Sequence, residues 1–233
     1  MWCPKLYQIT NIGPKYEEVL NKWSDRYPAA IVCYDHGEDK RTKIENQINR
    51  ANKLFQKYNR FAKILLLKSI KKNKYIPEND IIENIPNFKD FDILGFTEKE
   101  LGDSMLNRLK FIINLRKKMD ESDIFIPIHI FGSLDPITSV LYFLAGAEIF
   151  DGLTWSRYGY KDGNAVYTHN YGFVEFGHEE KDYIVRDMTY ARNINYLKRL
   201  TQQMKSFAVT GGNDFNIFAS NSELYETINK LIH

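Results

Sequence analysis

The stretch IPIHIFGSLDPITSVLYFLAGAEIFDGLTWSR, residues 126–157, predicts a strand, a helix and a second strand in succession. Residues 126–131 are mostly apolar, a composition typical of a strand that is buried on both faces. The pair Asp135–Pro136 then supplies a helix N-cap and a first-turn proline, and we expect this helix to end at Ala145, before a glycine. The short run 148–152 completes the unit, which predicts two parallel strands joined by a helix.

The same alternation extends upstream of this unit. Three more buried strands are predicted, at residues 29–34, 64–67 and 91–96. Apolar residues three and four positions apart predict helices between these strands. Five strands alternating with helices imply right-handed crossovers and a parallel sheet, so the predicted fold class is α/β. The intervening segments are a helix over 38–60, a short helix or loop within 71–87, and a helix over 103–119.

The pattern changes downstream of the quoted stretch. Residues 165–168 and 172–176 are expected to form a small antiparallel pair with a turn at Asn170. Helical spacing then returns over 189–207 and 222–232. We therefore predict one domain in three parts: an N-terminal extension over 1–28, a β/α core over 29–157, and a hairpin with C-terminal helices over 158–233.

The composition is that of a folded protein, because 43% of the residues are hydrophobic and the net charge is only +2. The start of the chain has no signal-peptide pattern, and no apolar run approaches the roughly 20 residues of a membrane span. We expect a soluble cytoplasmic protein without membrane contact. The two cysteines, Cys3 and Cys33, provide neither a disulfide framework nor metal-ligand spacing, so no metal or other cofactor is predicted.

Basic residues are clustered despite the near-neutral charge. One cluster includes Lys71 and Lys72, and the other is Arg116–Lys118. Such clusters indicate either a face that binds a polyanion or the solvated ends of helices, and the sequence leaves both interpretations open.

Polar residues follow several of the predicted strands, at the edge where parallel β/α sheets build their sites. Two carboxylates at this edge would suit acid–base or nucleophilic catalysis. Each residue also has a structural alternative: a helix cap or turn for the aspartates, a turn for the glycines and a core position for the histidine. The candidates are Asp35 after the first strand, Gly95 and Glu98 at the third, His129 and Gly132 at the fourth, and Asp151 after the fifth.

Residues 126–157 resemble the tRNA-guanine transglycosylases. In that family a strand, a glycine-containing loop, a helix and a hydrophobic-Phe-Asp triplet follow one another, and the aspartate attacks ribose C1′ to displace guanine. The resemblance identifies Asp151, after Ile149 and Phe150, with this nucleophile. Tyr34–Asp35 is similar to the strand end that recognises the base in the family, and Leu94–Glu98 is similar to its base-pocket loop.

The resemblance covers about residues 29–207 and implies a (β/α) barrel of the TIM type. It implies that the substrate is nucleic acid, either tRNA or DNA, in which guanine is exchanged for a 7-deazaguanine base. The carboxylate would form a covalent intermediate with the ribose. The pocket residues implied are Asp35, Gly95, Glu98, His129 and Gly132, and the implied nucleic-acid contacts are Arg157, Lys71 and Lys72.

The sequence departs from the family pattern in ways that affect the predicted architecture. The family's zinc site needs three cysteines and a histidine, and no cysteine follows Cys33. The opening strands of a full barrel and the proton-accepting aspartate have no recognisable counterpart. We therefore expect a partial barrel, whose unpaired edges would be covered by self-association, by a second subunit that supplies the missing half, or by a rearrangement of the barrel.

Three functions are consistent with the sequence. The first is base exchange in nucleic acid, and the second is a non-catalytic relative that serves as a subunit or nucleic-acid-binding partner. The third is an unrelated small-molecule β/α enzyme, which would not bind nucleic acid. The missing zinc site and the missing proton-accepting aspartate favour the second function. Retention of both Asp35 and Asp151 favours the first, because an inactive relative has no chemical reason to keep them both.

Overall fold

A parallel sheet forms the centre of the fold in the computed structural model, which describes residues 12–24, 28–33, 42–71 and 74–232. Its strand order follows the chain, and each strand pairs in parallel with the next. The sheet curls into a half-barrel. This confirms the predicted α/β class and the predicted alternation. The strands are β1 (Ala30–Val32), β2 (Ala62–Leu67), β3 (Ile93–Thr97), β4 (Ile128–Phe131) and β5 (Ile149–Phe150).

Helices connect the strands and continue beyond the sheet. Helix α1 lies within the segment predicted as an N-terminal extension, where the sequence predicted no helix. No helix in the described part of the chain is long and apolar enough to cross a membrane. The helices are α1 (Ile12–Lys22), α2 (Ile44–Lys57), α3 (Glu78–Glu83), α4 (Met105–Glu121), α5 (Pro136–Leu144), α6 (Thr168–Phe176), α7 (Asp182–Val209) and α8 (Ser222–Ile232).

The two faces of the sheet have different environments because side chains alternate along each strand. The outer face packs against the helices, as when the ring of Phe96 meets that of Phe111 on α4 edge to face. Its residues are almost completely buried: Leu65, Leu67, Leu94, Phe96, Ile128 and Ile130. The inner face is less covered. It carries Ile64, Leu66, Ile93, Gly95, Thr97, His129, Phe131 and Ile149.

The small antiparallel pair exists but does not lie where the sequence analysis placed it. Strand β6 (Tyr158–Lys161) pairs with β7 (Asn164–Tyr167), and the turn is Asp162–Gly163. Both turn residues have positive φ, 49° and 80°, which is the geometry that an Asp-Gly pair favours in a two-residue hairpin. The predicted second strand, 172–176, is instead part of helix α6. The Asp162–Gly163 pair, rather than Asn170, is the turn signal in this part of the sequence.

Arg116 was predicted to belong to a basic cluster on the surface, but its guanidinium joins the amino ends of β4 and β5. It donates to both carboxylate oxygens of Glu148, at 2.7 and 2.8 Å, and to the carbonyls of Ile126 and Gly146. Glu148 in turn accepts from the amide of Ile128 at 2.7 Å. Arg116 is therefore engaged within the fold, whereas the neighbouring Lys117 is exposed.

We expect Arg116→Met to lower the free energy of unfolding by about 2 kcal/mol, because several charge-assisted hydrogen bonds are lost and two carbonyls lose a donor. Urea unfolding followed by circular dichroism measures this change. The matched control is Lys117→Met, which should change the free energy of unfolding by less than about 0.5 kcal/mol. Equal effects of the two substitutions would contradict a structural role for the guanidinium.

Candidate active site at the carboxyl ends of the strands

Asp151 directly follows β5, at the carboxyl edge of the sheet, and its side chain is 52% exposed. One carboxylate oxygen, Oδ1, accepts a hydrogen bond of 2.8 Å from the amide of Gly132. Within the described residues, no hydrogen bond reaches the other oxygen, Oδ2. The carboxylate is thus fixed through one oxygen while the other can contact a bound molecule.

Gly132 is suited to this contact by its backbone conformation. It follows the last residue of β4 and has a φ of 83°, in the left-handed region that glycine adopts without steric cost. This conformation turns the chain so that the amide faces Asp151 on the neighbouring strand. The sequence analysis assigned Gly132 to the base pocket. The structure shows that it holds the candidate nucleophile.

His129 lies beneath Asp151, on the inner face of β4. Its ring stacks on that of Phe131 with centroids 3.8 Å apart, and its Nε2 is 3.7 Å from Asp151 Oδ1, too far for a hydrogen bond. Neither ring nitrogen has a hydrogen-bond partner, although the residue is buried. Burial lowers the pKa of His129, and the nearby Asp151 carboxylate only partly opposes this shift. Burial therefore favours the neutral form of this imidazole.

The buried, neutral His129 should make stability dependent on pH. Its pKa in the folded protein is lower than the ordinary value of 6.5, so the unfolded chain binds the proton more readily. The contribution of neutral His129 to the free energy of unfolding is therefore fully present above pH 6.5. It decreases as the pH falls below 6.5 towards the pKa of His129 in the folded protein. We expect urea unfolding of His129→Phe to depend less on pH between 5 and 7.5 than that of the native protein.

The exposed His178 provides the matched control for this prediction. His178→Phe should leave the pH dependence of unfolding as it is in the native chain. Unchanged pH dependence in His129→Phe would show that the imidazole accepts a proton in the folded state as easily as it does in water.

Gly95 lies directly across from His129 in the pairing of β3 with β4. A Cβ atom at position 95 would lie 2.6 Å from Cε2 of Phe131, so the phenyl ring occupies the space that a side chain would need. The structure therefore explains this glycine by the close approach of Phe131. Because Gly95 has no side chain, the ring of Phe131 can lie against β3 while it stacks on His129.

Glu98 has a different environment from the one that its sequence position suggested. Its Oε1 accepts from the hydroxyl of Tyr142 on α5 at 3.3 Å and lies 3.5 Å from the guanidinium of Arg108 on α4. Burial raises the pKa of Glu98, and the positive charge of Arg108 opposes this rise. The carboxylate thus bridges two helices, and none of its contacts is with Asp151, His129 or Gly132.

Lys68, which the sequence places in the same basic cluster as Lys71 and Lys72, also lies at this edge of the sheet. It follows β2, and its ammonium donates to Thr97 Oγ1 at 2.8 Å and lies 3.7 Å from Glu100. Both charged side chains are largely buried. Lys68 lies two residues after Leu66 and four after Ile64, both on the inner face of the sheet. Because side chains two residues apart share a face of a strand, this spacing could have predicted the position of Lys68. The lysine therefore places a positive charge at the carboxyl edge of the sheet.

The remaining predicted residues are not all described by the structure. Asp35 and Lys72 lie outside the described residues. Lys71 is exposed and follows the carboxyl end of β2. Arg157 is also exposed and lies at the entrance of β6, beside a surface cavity of about 630 Å³. In the parts of the chain that are described, no group of three or more His, Cys, Asp or Glu side chains could hold a metal ion.

Comparison with models of protein families found no match, and comparison with curated proteins also found none. The resemblance around Asp151 therefore depends on the amino-acid sequence of this chain alone.

Proposed function

We propose that this protein is a base-exchange glycosyltransferase acting on nucleic acid, with Asp151 as its nucleophile. The observation that carries the proposal is the environment of this carboxylate: it is half-exposed at the end of a parallel strand, fixed by the Gly132 amide and adjacent to a neutral His129. The TIM-type barrel that the resemblance implies would place this strand end at the mouth of the active site.

The proposed reaction has two displacements at ribose C1′. In the first, a carboxylate oxygen of Asp151 forms a bond to C1′ while the bond to guanine N9 breaks, and the departing base takes up a proton. In the second, N9 of the incoming 7-deazaguanine base attacks C1′, loses its proton and releases the carboxylate. Fixing Oδ1 with one amide leaves Oδ2 for the attack. The target nucleotide must leave its stack to reach the carboxylate.

A test is the incorporation of radiolabelled guanine into nucleic acid. The protein is incubated with the labelled base and, separately, with unmodified tRNA or duplex and single-stranded DNA, and acid-precipitable label is counted. Incorporation into one polymer would establish base exchange and identify the substrate. The absence of label in all of them, at protein concentrations equal to those of the polymer, would contradict the proposal.

A non-catalytic relative, acting as a subunit or nucleic-acid-binding partner, is the second candidate. It is favoured by Glu98, whose carboxylate is held by Arg108 and Tyr142 rather than facing Asp151. This candidate predicts nucleic-acid binding without label incorporation, and binding that is unaffected by Asp151→Asn.

The open half-barrel supports a proposal about assembly. The inner face retains apolar residues that are only partly covered, including Ile93, Phe131 and Ile149. We expect a second copy of the chain or another subunit to complete the barrel. Sedimentation velocity would test self-association, and a monomer that stays compact and stable at all concentrations would count against the proposal.

A further inference from the structure

A second surface of the protein is rich in exposed aromatic side chains. It lies where the β6–β7 hairpin meets the amino ends of α6 and α7, and it surrounds a cavity of about 630 Å³. We call it the tyrosine surface. Its principal residues are Arg157, Tyr158, Tyr167, His169, Tyr183 and Arg186.

The aromatic rings are arranged as neighbours. Tyr158 and Tyr167 lie directly opposite each other on the hairpin, so their side chains share one face of it. The ring of His169 extends this row, with its centroid 5.3 Å from that of Tyr167. Tyr183 contributes from α7. Tyr158 is 39% exposed, Tyr167 57% and Tyr183 55%. Much of the ring surface of these three residues is therefore open to a ligand.

The charged groups at this surface favour an anionic ligand. The guanidinium of Arg157 is exposed and forms no hydrogen bond or ion pair with the described part of the chain. Arg186 forms an ion pair with the adjacent Asp187, in which Nε lies 3.0 Å from Oδ1. Asp182 is the acidic residue of the cavity lining, and it occupies the first turn of α7, where a carboxylate interacts favourably with the helix dipole. Arg157 is thus the cation that remains available to a phosphate.

We propose that the tyrosine surface binds a single-stranded segment of nucleic acid. Its bases would stack on the exposed tyrosines, and Arg157 would contact a phosphate. Stacking is specific to single strands because the base faces of a duplex are already covered by their neighbours. This inference rests on the proposed function, in which the strand also reaches Asp151. The chain passes from Asp151 to Arg157 through one short 3-10 turn, so the two regions are joined by a brief connection.

The test measures binding rather than chemistry, by fluorescence anisotropy of labelled single-stranded DNA, single-stranded RNA and a duplex of the same sequence. We expect the protein to prefer a single strand to the duplex. The combined substitution of Tyr167→Leu and Tyr183→Leu keeps apolar side chains at these positions but removes the rings. It should weaken single-strand binding by about tenfold or more, whereas Phe at both positions should preserve it.

Arg157→Gln should weaken binding and reduce the slope of log K against log salt concentration by about one, as expected for one lost phosphate contact. The matched control is Phe125→Leu, which alters an exposed ring before β4, at the opposite end of the sheet. This control should bind as the native protein does. Circular dichroism and urea unfolding of every variant separate lost binding from lost structure.

Three results would overturn the inference: equal affinity for the duplex and the single strands, native affinity in the Leu variant, or no binding of any of the three probes. The last result is expected if the surface binds an apolar protein partner instead of nucleic acid. The outcomes for the proposed function are distinct. Tyrosine-dependent binding without label incorporation would preserve the inference and contradict base exchange. Normal incorporation together with native single-strand affinity in the Leu variant would preserve base exchange and contradict the inference.

Discussion

Replacing Asp151 with asparagine should reduce base exchange by about a thousandfold or more. The amide oxygen of asparagine can still accept the hydrogen bond from Gly132, so the loop after β5 keeps its contact. The substitution removes the negative charge and the nucleophilic oxygen on which the proposed covalent intermediate depends. Loss of a covalent nucleophile commonly costs at least about three orders of magnitude in rate. Label incorporation under single-turnover conditions measures this change.

The same experiment can detect the intermediate directly. Native protein incubated with labelled nucleic acid in the absence of an incoming base should give an adduct that survives denaturing electrophoresis, and Asp151→Asn should give none. The control is Asp123→Asn, in an exposed turn after α4 with a φ of 56°, a conformation that asparagine tolerates. It should exchange base at the native rate. An Asp151→Asn variant with native activity would exclude this carboxylate as the nucleophile.

The strands were predictable because their signals are local. The apolar run Ile64–Leu67 is short and has no helix cap before it, which favours a buried strand. The apolar run Val140–Leu144 follows the Asp135–Pro136 cap and is part of helix α5. In the structure, Asp135 indeed accepts hydrogen bonds from the amides of Ile137 and Thr138. The hairpin differs from the predicted one because its turn is Asp162–Gly163 rather than Asn170.

The environment of each site residue was less predictable, because it depends on contacts between distant parts of the chain. Nothing local in the sequence indicates that Glu98 is held by Arg108 and Tyr142. The same holds for Arg116, whose partner Glu148 belongs to another connection. Asp151 and Gly132 could be expected at one edge, since parallel strands end together. The hydrogen bond between them required the curl of the sheet and the positive φ of Gly132.

The contact between Gly95 and Phe131 leads to the largest stability effect that we expect. Gly95→Val should lower the free energy of unfolding by about 3 kcal/mol, because overpacking forces the displaced ring into poor rotamers. The steric reason is that a Cβ atom at position 95 would lie only 2.6 Å from Cε2 of Phe131. The intrinsic preference of valine for strands offsets at most about 1 kcal/mol of this cost. Urea unfolding measures the change.

A double-mutant cycle tests whether Phe131 is the cause. Phe131→Ala alone removes the stack on His129 and should itself destabilise the fold. In the Gly95→Val background, however, the same truncation opens space for the valine. The combined variant should therefore be more stable than the sum of the single effects predicts, by about 2 kcal/mol. Strict additivity would show that the valine clashes with another group, and Gly95 would then be explained by the backbone of β3 rather than by the ring that packs beside His129.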